Sequence, residues 1–565
     1  MSPKHLVLQN YVTRSESIKS KVANLKWQEG VSYFFSQNIP ITSGAINPIQ
    51  LANLMKPIFD NNTGQPKTHI YEMGAGIGLL SKQLLDVIQE QLPQIKDQLT
   101  WHVTDYTEEL VQAMHSTQLF KSYKKTVQIE TLDMASFQCS PNQSPSVVIM
   151  SYLADSFPAR HIEVKNGEIY EYQVQSSLKS NEKIVDTSVF PPEILTADHI
   201  IQKVKSEALF KTTALLTSLG HRIEESWKRV PINDIEMSDD EREELQKFVQ
   251  FLAPSGRIRF NFAYSFGQAL RRLLGEMTEK AQVLIYDFGY TKPTANFDQD
   301  RYLKQFGVSL FFSVCFPYIQ YIAQQNHWQY CLTEYEQGSS QLMMLYRGID
   351  TEKIQGVFKQ QFQDDASAHM EQVMQQIQLI PKESKLFLSE MSLHLDKLSK
   401  TEQHCYGILI NLSMECYRRS FTREAIQYAQ TAIKRYGPMA ISAYHLLGQV
   451  YQDMNELDKA EHCLKKALKV APFLSGVYYQ LSLIYGKKRQ HTQFIKMTRK
   501  FFNLSSQFMI WEHLVTLGLV YLEAGKRKES KGVFNWLKNT AHEHPDVVPG
   551  YLKDKSKQIL SQLFT

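Results

Sequence analysis

Three glycines at alternate positions, Gly74, Gly76 and Gly78, join a short apolar stretch to a helix-periodic one, and this junction constrains the fold more than any other feature. Thr68-His69-Ile70-Tyr71 reads as a buried strand of a parallel sheet, and residues 79–88 place apolar side chains at helical spacing. A glycine-rich turn between strand and helix lets the backbone approach a ligand closely, because glycine lacks a Cβ and tolerates positive φ. In an α/β sheet that turn lies at the carboxyl ends of the strands, where ligands bind. The spacing is not the G-x-G-x-x-G of a dinucleotide fold, and no Gly-Lys-Ser/Thr follows to form a Walker-type phosphate loop. Glu72, two residues before the first glycine, would repel a pyrophosphate and suits a cationic or amino-bearing ligand. The alternative is an ordinary strand-to-helix turn packed through glycine.

The chain beyond the turn repeats the strand–helix alternation. Residues 99–105 form a second predicted strand ending in Asp105, and residues 107–114 start the next helix. An acid at that strand end accepts hydrogen bonds from ribose hydroxyls in nucleoside-binding α/β folds; an aspartate there also caps the following helix. Residues 127–134 predict a third strand with Asp133 just past it, and residues 146–152 a strongly apolar fourth. Polar residues at successive strand ends, alternating with helices, predict a parallel doubly wound sheet. The run Glu72-x-Gly74-x-Gly76-x-Gly78 resembles the first motif of class I S-adenosylmethionine (SAM) methyltransferases. On that resemblance the glycines admit the cofactor, Glu72 lies near its ribose or amino end, Asp105 holds the ribose, Asp133 meets the adenine amino group and Met134 covers the ring. Ser151, at the end of the fourth strand, completes the expected cofactor set.

A closer resemblance begins at Ser151-Tyr152-Leu153-Ala154-Asp155-Ser156-Phe157-Pro158. The MidA family of SAM-dependent methyltransferases reads Asn-Glu-x-x-Asp-Ala-Leu-Pro-Val there, and this chain keeps Asp155 and Pro158. Residues 262–273 are expected as a helix before the apolar strand of residues 281–290, which carries Asp287-Phe288-Gly289 where the family ends in Asp-Tyr-Gly. Residues 336–345 are similar to its closing strand. The resemblance spans roughly residues 25–348. It implies methylation of arginine side chains in a protein, as for the family's mitochondrial complex I assembly member. Asp155 is the expected catalytic acid, orienting and deprotonating a guanidinium or amine, with a helix cap as the alternative; Asp287 is the second candidate. Two departures stand out. Ser151-Tyr152 replaces Asn-Glu, and Ser309-Leu310-Phe311-Phe312-Ser313 lies where the family has Asp-x-Thr-x-His. The second removes polar groups expected to meet the substrate.

Residues 1–60 read as helical with breaks: a mixed stretch over residues 11–26, a short aromatic run over residues 30–35 and a helix at residues 48–55. Residues 160–260 form a large insertion suited to a lid or substrate-binding subdomain. The organisation expected is therefore a Rossmann-like methyltransferase domain over residues 1–348 with that insertion, a helical connector over 349–400, and a helical repeat domain over 401–565. The repeat is of tetratricopeptide (TPR) type: Tyr444, Leu447, Gly448, Tyr451, Ala460, Leu464, Ala467 and Pro472 match its pattern. Degenerate copies starting near 406, 475 and 511 flank it. Stacked hairpins of this kind present a groove for a peptide or protein; the alternative roles are homodimerisation and support of the enzyme domain.

Charge divides along the same boundary. Residues 401–565 carry 23 Lys+Arg against 13 Asp+Glu, although the whole chain is only +4. This basic excess has no accompanying aromatic–basic motif, so nucleic acid is not the expected partner. No apolar run of transmembrane length, secretory leader or C-x-x-C is seen, which points to a cytoplasmic protein with reduced thiols and no metal. The function expected is methyl transfer from SAM to a protein, with the TPR domain recruiting the partner. The rival readings are a TPR scaffold carrying a non-catalytic methyltransferase-like domain and a small-molecule methyltransferase.

Overall fold

The computed structural model describes residues 4–36, 47–59, 67–186, 189–190, 192–206, 213–295, 302–306, 309–333, 340–362, 367–504 and 510–564. The cluster Asn61-Asn62-Thr63-Gly64-Gln65-Pro66, whose composition predicts a turn before the first strand, and the first residues of the 336–345 stretch lie outside them. The central sheet runs β16 (Gln329–Leu332), β17 (Ser340–Arg347), β12 (Ala281–Tyr290), β5 (Pro145–Ser151), β2 (Thr68–Met73), β3 (Leu99–Asp105), β4 (Val127–Thr131), with the short β15 (Val314–Cys315) beside β12. The strands from β12 to β4 are parallel; β17 runs antiparallel to β12, and β16 antiparallel to β17.

Both faces of this sheet are covered, which is why its strands are apolar almost throughout. Ile70 packs with α3 (Pro48–Phe59) and α4 (Leu79–Gln91), whereas Tyr71 and Met73 pack on the other side with Phe266 and Ile319. The register sets the site: Met73 pairs with both Thr104 and Met150, and Ser151 pairs with Tyr286. The residues following these strands therefore emerge side by side along one edge.

The insertion builds a second, antiparallel sheet. Its order is β1 (His5–Thr13), β7 (Glu168–Lys179), β6 (Arg160–Lys165), β11 (Ile258–Phe262), with β10 (Glu224–Pro231) also on β7. Two hairpins, β8 (Lys183–Asp186) with β9 (Glu193–Thr196) and β13 (Leu303–Phe306) with β14 (Ser309–Phe312), complete the strands. At its centre the buried carboxylate of Glu163 accepts from Arg229, Arg257 and Arg259, which together hold its pKa down at about 2.

This arrangement corrects the reading of residues 1–60 as helical with breaks. Residues 5–13 are a strand, and helices follow only at α1 (Ile18–Lys26), α2 (Val31–Ser36) and α3. The pairing partner of β1 lies far along the chain in the insertion, His5 opposite Lys179, so no local pattern could reveal it. The helix expected over 262–273 starts instead at Tyr264, with Phe262 closing β11.

The C-terminal region is a stack of helical hairpins: Tyr406–Arg418 with Thr422–Tyr436, Ile441–Asp453 with Leu457–Val470, Ser475–Lys487 with His491–Leu504, and Ile510–Glu523 with Arg527–Glu543, ending on Tyr551–Leu563. The connector is helical and well packed: Ile354 and Phe358 of helix Thr351–Phe362 join the core that includes α3. The same core continues from the sheet through α4 into the repeats. Polar contacts bind the two regions. Arg435 reaches Asp86 at 3.0 Å, Asn47 donates to Glu402 at 2.7 Å, Lys183 meets Asp546 at 2.9 Å, and the Phe473 amide donates to Ser32 Oγ at 3.0 Å.

Candidate functional site

A cavity of about 480 Å³ opens at the carboxyl ends of β2, β3 and β5. Its lining includes Glu72, Gly74, Gly76, Asp105, Asp133, Met134 and Ser151. Seven of the ten residues singled out in the sequence thus meet in one place. Gly78, Asp155 and Asp287 are not part of the lining.

The glycine turn is shaped by backbone conformation. Gly74, Gly76 and Gly78 have φ of +68°, +57° and +75°, a region that costs an L-residue about 1–2 kcal/mol. Gly78 lies at the start of α4, where an added Cβ would fall 2.7 Å from Met114 Sδ. Its part is to turn the chain into the helix.

Asp105 holds this loop and the next element at once. Its Oδ2 accepts from the Gly76 amide and its Oδ1 from the Thr107 amide, both at 2.9 Å. The turn-forming role and a place in the cavity therefore coexist. Burial raises its pKa, against the opposing pull of these amides. Glu72 is pinned from behind: its Oε2 accepts from the Ser81 amide at 3.0 Å and from Ser81 Oγ, which in turn accepts from Trp101 Nε1 at 2.7 Å. Burial pushes its carboxyl up to about 7. Asp133 is exposed and its Oδ1 accepts from the Ala135 amide at 2.9 Å, while Met134 is buried beside it. Ser151 is 6% exposed and its Oγ has no hydrogen-bond partner among the described residues.

The acids expected to meet the acceptor are placed differently. Asp155 and Asp287 are both buried, below the loop that follows β5. The Asp155 amide donates to Asp287 Oδ2 at 3.1 Å and the Phe288 amide to Asp287 Oδ1 at 2.8 Å. Burial raises both carboxyls: Asp287 to about 7, against the pull of the hydrogen bonds it accepts, and Asp155 well above the usual carboxylate range, with the neighbouring Asp287 adding to the rise. In this arrangement Asp287 braces the 152–158 loop through the Asp155 amide, and neither carboxyl lines the cavity. Tyr152, on that loop, has φ of +52° and bonds through its hydroxyl to Ser340 Oγ at 3.1 Å. A non-glycine residue held there marks a strained loop against the site.

The roof of the cavity went unforeseen. Asn24, Trp27, Phe34 and Phe311 line it, with Tyr106 exposed beside them. Trp27 stands 5.9 Å from Phe34 and 6.0 Å from Phe311, ring to ring, and Phe34 Cζ lies 2.9 Å from where a Gly76 Cβ would be. Phe34 falls within the aromatic run noted in the sequence, but that run said nothing of what it covers.

The strand order, the glycine turn and the acids at successive strand ends define a nucleoside-binding α/β domain of the class I methyltransferase kind. Residues 50–301 match the family model described as "Putative S-adenosyl-L-methionine-dependent methyltransferase", and residues 441–474 match the tetratricopeptide repeat model. The α/β part of the chain is thus similar to this SAM-dependent methyltransferase family over residues 50–301, and a helical region with a TPR match follows it. No curated protein matches the chain. Among solved structures, an uncharacterized protein from Burkholderia thailandensis is similar at 12% identity, covering 60% of this chain and 88% of its own, with a TM-score of 0.36. A superfamily member from the same organism, bound to S-adenosyl-homocysteine, is similar at 11% identity over 60% of this chain and 89% of its own, also at 0.36. The pilF protein of Pseudomonas aeruginosa is similar at 15% identity over 37% of this chain and 89% of its own, at 0.27. All three scores lie below 0.5, and the likeness to the family rests on the match over residues 50–301.

The cavity fits the family's cofactor. Its volume is that of a small-molecule site, its glycine loop leaves room that a side chain would fill, and Ser151 Oγ is a buried polar atom still without a partner.

Proposed function

We propose that this chain transfers the methyl group of SAM to a protein, with an arginine side chain as the acceptor, and that the solenoid brings the partner to the enzyme lobe. The observation that carries this reading is the Gly76–Asp105 contact inside the cavity: one carboxylate fixes the positive-φ loop and still offers lone pairs to a ribose. Asp133 would accept from the adenine amino group, Met134 would cover the ring, and Ser151 Oγ would bond near the methionine end. Glu72 shapes the loop through Ser81 and places a carboxyl beside the cofactor's amino end. Gly74 and Gly76 let the backbone close in. SAM supplies an activated methyl on a sulfonium, so the protein's task is alignment and exclusion of water.

Trp27, Phe34 and Phe311 shield the reacting centre, and Tyr106 at the rim presents a ring face to an incoming cation. An arginine suits this wall, because its guanidinium stacks on aromatic faces. The Asp155–Asp287 pair acts as a positioning element, holding the loop that carries Leu153 and Phe157 into the cavity. The insertion serves as the substrate-side subdomain, and the cytosol as the compartment, in keeping with six free cysteines.

The test is calorimetric titration of the full chain with SAM and S-adenosyl-homocysteine, followed by incubation with labelled SAM and arginine- or lysine-containing proteins. Saturable one-to-one binding that Asp105→Ala weakens, with label recovered in methylarginine, supports the reading. A folded protein that binds neither compound overturns the enzyme and leaves the TPR scaffold. Binding with label only in small molecules overturns the protein acceptor.

A further inference from the structure

The solenoid carries a cleft of about 310 Å³ on the side of helix His491–Leu504, sharing no lining residue with the cofactor cavity and lined by Thr492, Ile495, Lys496, Arg499, Lys500, Asn503 and, from the next hairpin turn, Lys526. Four cations converge on it, and no carboxylate among the described residues pairs with any of them. Lys496 and Lys500 stand one turn apart on one helix face, a like-charge spacing that weakens a helix by a few tenths of a kcal/mol, about 0.2–0.5. Three lysines of the neighbouring helices are paired by contrast: Lys459 with Glu456, Lys465 with Glu461, and Lys488 with Asp458 and Glu461.

The cations are also held in place. Arg499 Nη2 donates to the Tyr521 hydroxyl at 2.9 Å, and its guanidinium lies 5.5 Å from the ring of Phe190, which belongs to the insertion. Lys526 Nζ stands 6.0 Å from the Tyr521 ring. Tyr521 itself is buried and packs against Phe190 at 6.3 Å. One aromatic hub thus organises two of the four charges, and both lobes contribute to it.

We propose that this cleft binds an acidic segment of a partner protein, a short run of Asp and Glu side chains. An unpaired, pre-organised cation cluster is destabilising to the free fold and is relieved by an anionic ligand. Carboxylates fit better than a nucleic acid strand because the lining has aliphatic, hydroxyl and amide groups and no ring on which a base would stack. The inference deepens the reading that the solenoid recruits the partner, and it names the chemistry recruited.

The experiment is fluorescence anisotropy of the full chain with a labelled oligo-glutamate peptide, its glutamine counterpart and a single-stranded oligonucleotide. The variants are Lys496→Glu/Lys500→Glu and, as a control of equal charge change, Lys466→Glu/Lys469→Glu on the exposed side of the preceding repeat. The acidic peptide is expected to bind, to weaken with added salt, and to lose about tenfold or more in affinity with the cleft variant but only about twofold with the control. Equal loss in both variants overturns a specific cleft, as does absence of binding by the parent chain. Tighter, equally sensitive binding of the oligonucleotide replaces the acidic peptide with nucleic acid. Lys496→Gln/Lys500→Gln repeats the test without charge reversal should the first variant melt early. S-adenosyl-homocysteine titration of the same variants is expected to be unchanged, so failure of the cleft and failure of the cofactor site are read separately.

Discussion

Gly76 in the cofactor loop and Gly448 in the solenoid are both crowded, yet glycine is required for different reasons. A Cβ on Gly76 would meet only the tip of the Phe34 ring, at 2.9 Å, but its φ is +57°. There the constraint is the backbone. A Cβ on Gly448, in helix Ile441–Asp453, would fall 2.5 Å from Leu464 Cδ2, and Leu464 is fully buried in the facing helix. There the constraint is space between two helices. The contrast teaches that glycine at the cavity loop answers to backbone conformation, whereas glycine between the paired helices of the repeat answers to the space left for a side chain.

The largest expected effect comes from breaking the first half of that contrast. Gly76→Arg adds the left-handed penalty, about 1–2 kcal/mol, and sends a long cation into the cavity. Calorimetry with S-adenosyl-homocysteine is expected to show no measurable binding, while far-UV circular dichroism stays that of the parent. Retained affinity would mean that the loop does not face the cofactor.

The contrast also explains what could be read before the fold was known. Glu72, Gly74, Asp105, Asp133 and Ser151 lie at or just beyond ends of successive parallel strands, and apolar period locates strand ends well. The TPR hairpins were legible for a similar reason, since each contacts chiefly its neighbours; helices start at Tyr406, Ile441, Ser475 and Ile510, close to the expected starts. What escaped depends on distant pairing. β1 needs the insertion to be a strand, Trp27 and Phe311 meet only through the fold, and the mutual burial of Asp155 and Asp287 hides both from the cavity where sequence order alone had put them.

A second prediction sharpens the enzyme side. Glu72 is buried with its carboxyl raised to about 7 from 4.5. A folded-state value above the unfolded one means that the native state binds more protons between those limits. This contribution therefore favours folding below about pH 4.5 and is lost as pH rises through 7, by up to about 3 kcal/mol. Glu72→Gln keeps an acceptor for the Ser81 amide and removes the titration. Denaturant melts at several pH values are expected to show a flatter profile between those limits in the variant; identical profiles would place the titration elsewhere, in Asp155 and Asp287.

On the solenoid side, Gly448→Val is expected to cost about 1–3 kcal/mol by overpacking against Leu464. Thermal melting reads the loss. Affinity for S-adenosyl-homocysteine, measured well below the melt, is expected to be unchanged. A parallel fall in affinity would show that the core shared by the two regions transmits helix spacing to the cofactor loop, and the two uses of glycine would no longer be independent.

The smallest effect tests the joint between the regions. Arg435, from the solenoid, meets Asp86 of α4 at 3.0 Å, and Asp86 is largely buried. Stripping a buried carboxylate of its one cation would cost several kcal/mol, roughly 3–5. Asp86 is not left alone, however: Lys82 Nζ stands 2.6 and 2.8 Å from its two oxygens, and the Tyr123 hydroxyl donates at 2.5 Å. Arg435→Ala is therefore expected to cost only about 1 kcal/mol, and less in high salt. Lys82→Ala, which removes the inner partner, should cost more than Arg435→Ala. A double variant exceeding the sum of the two singles would show that the charges stand in for one another. The reverse order of the singles would mean that the solenoid, and not α4 itself, supplies the main partner of the buried Asp86 carboxylate.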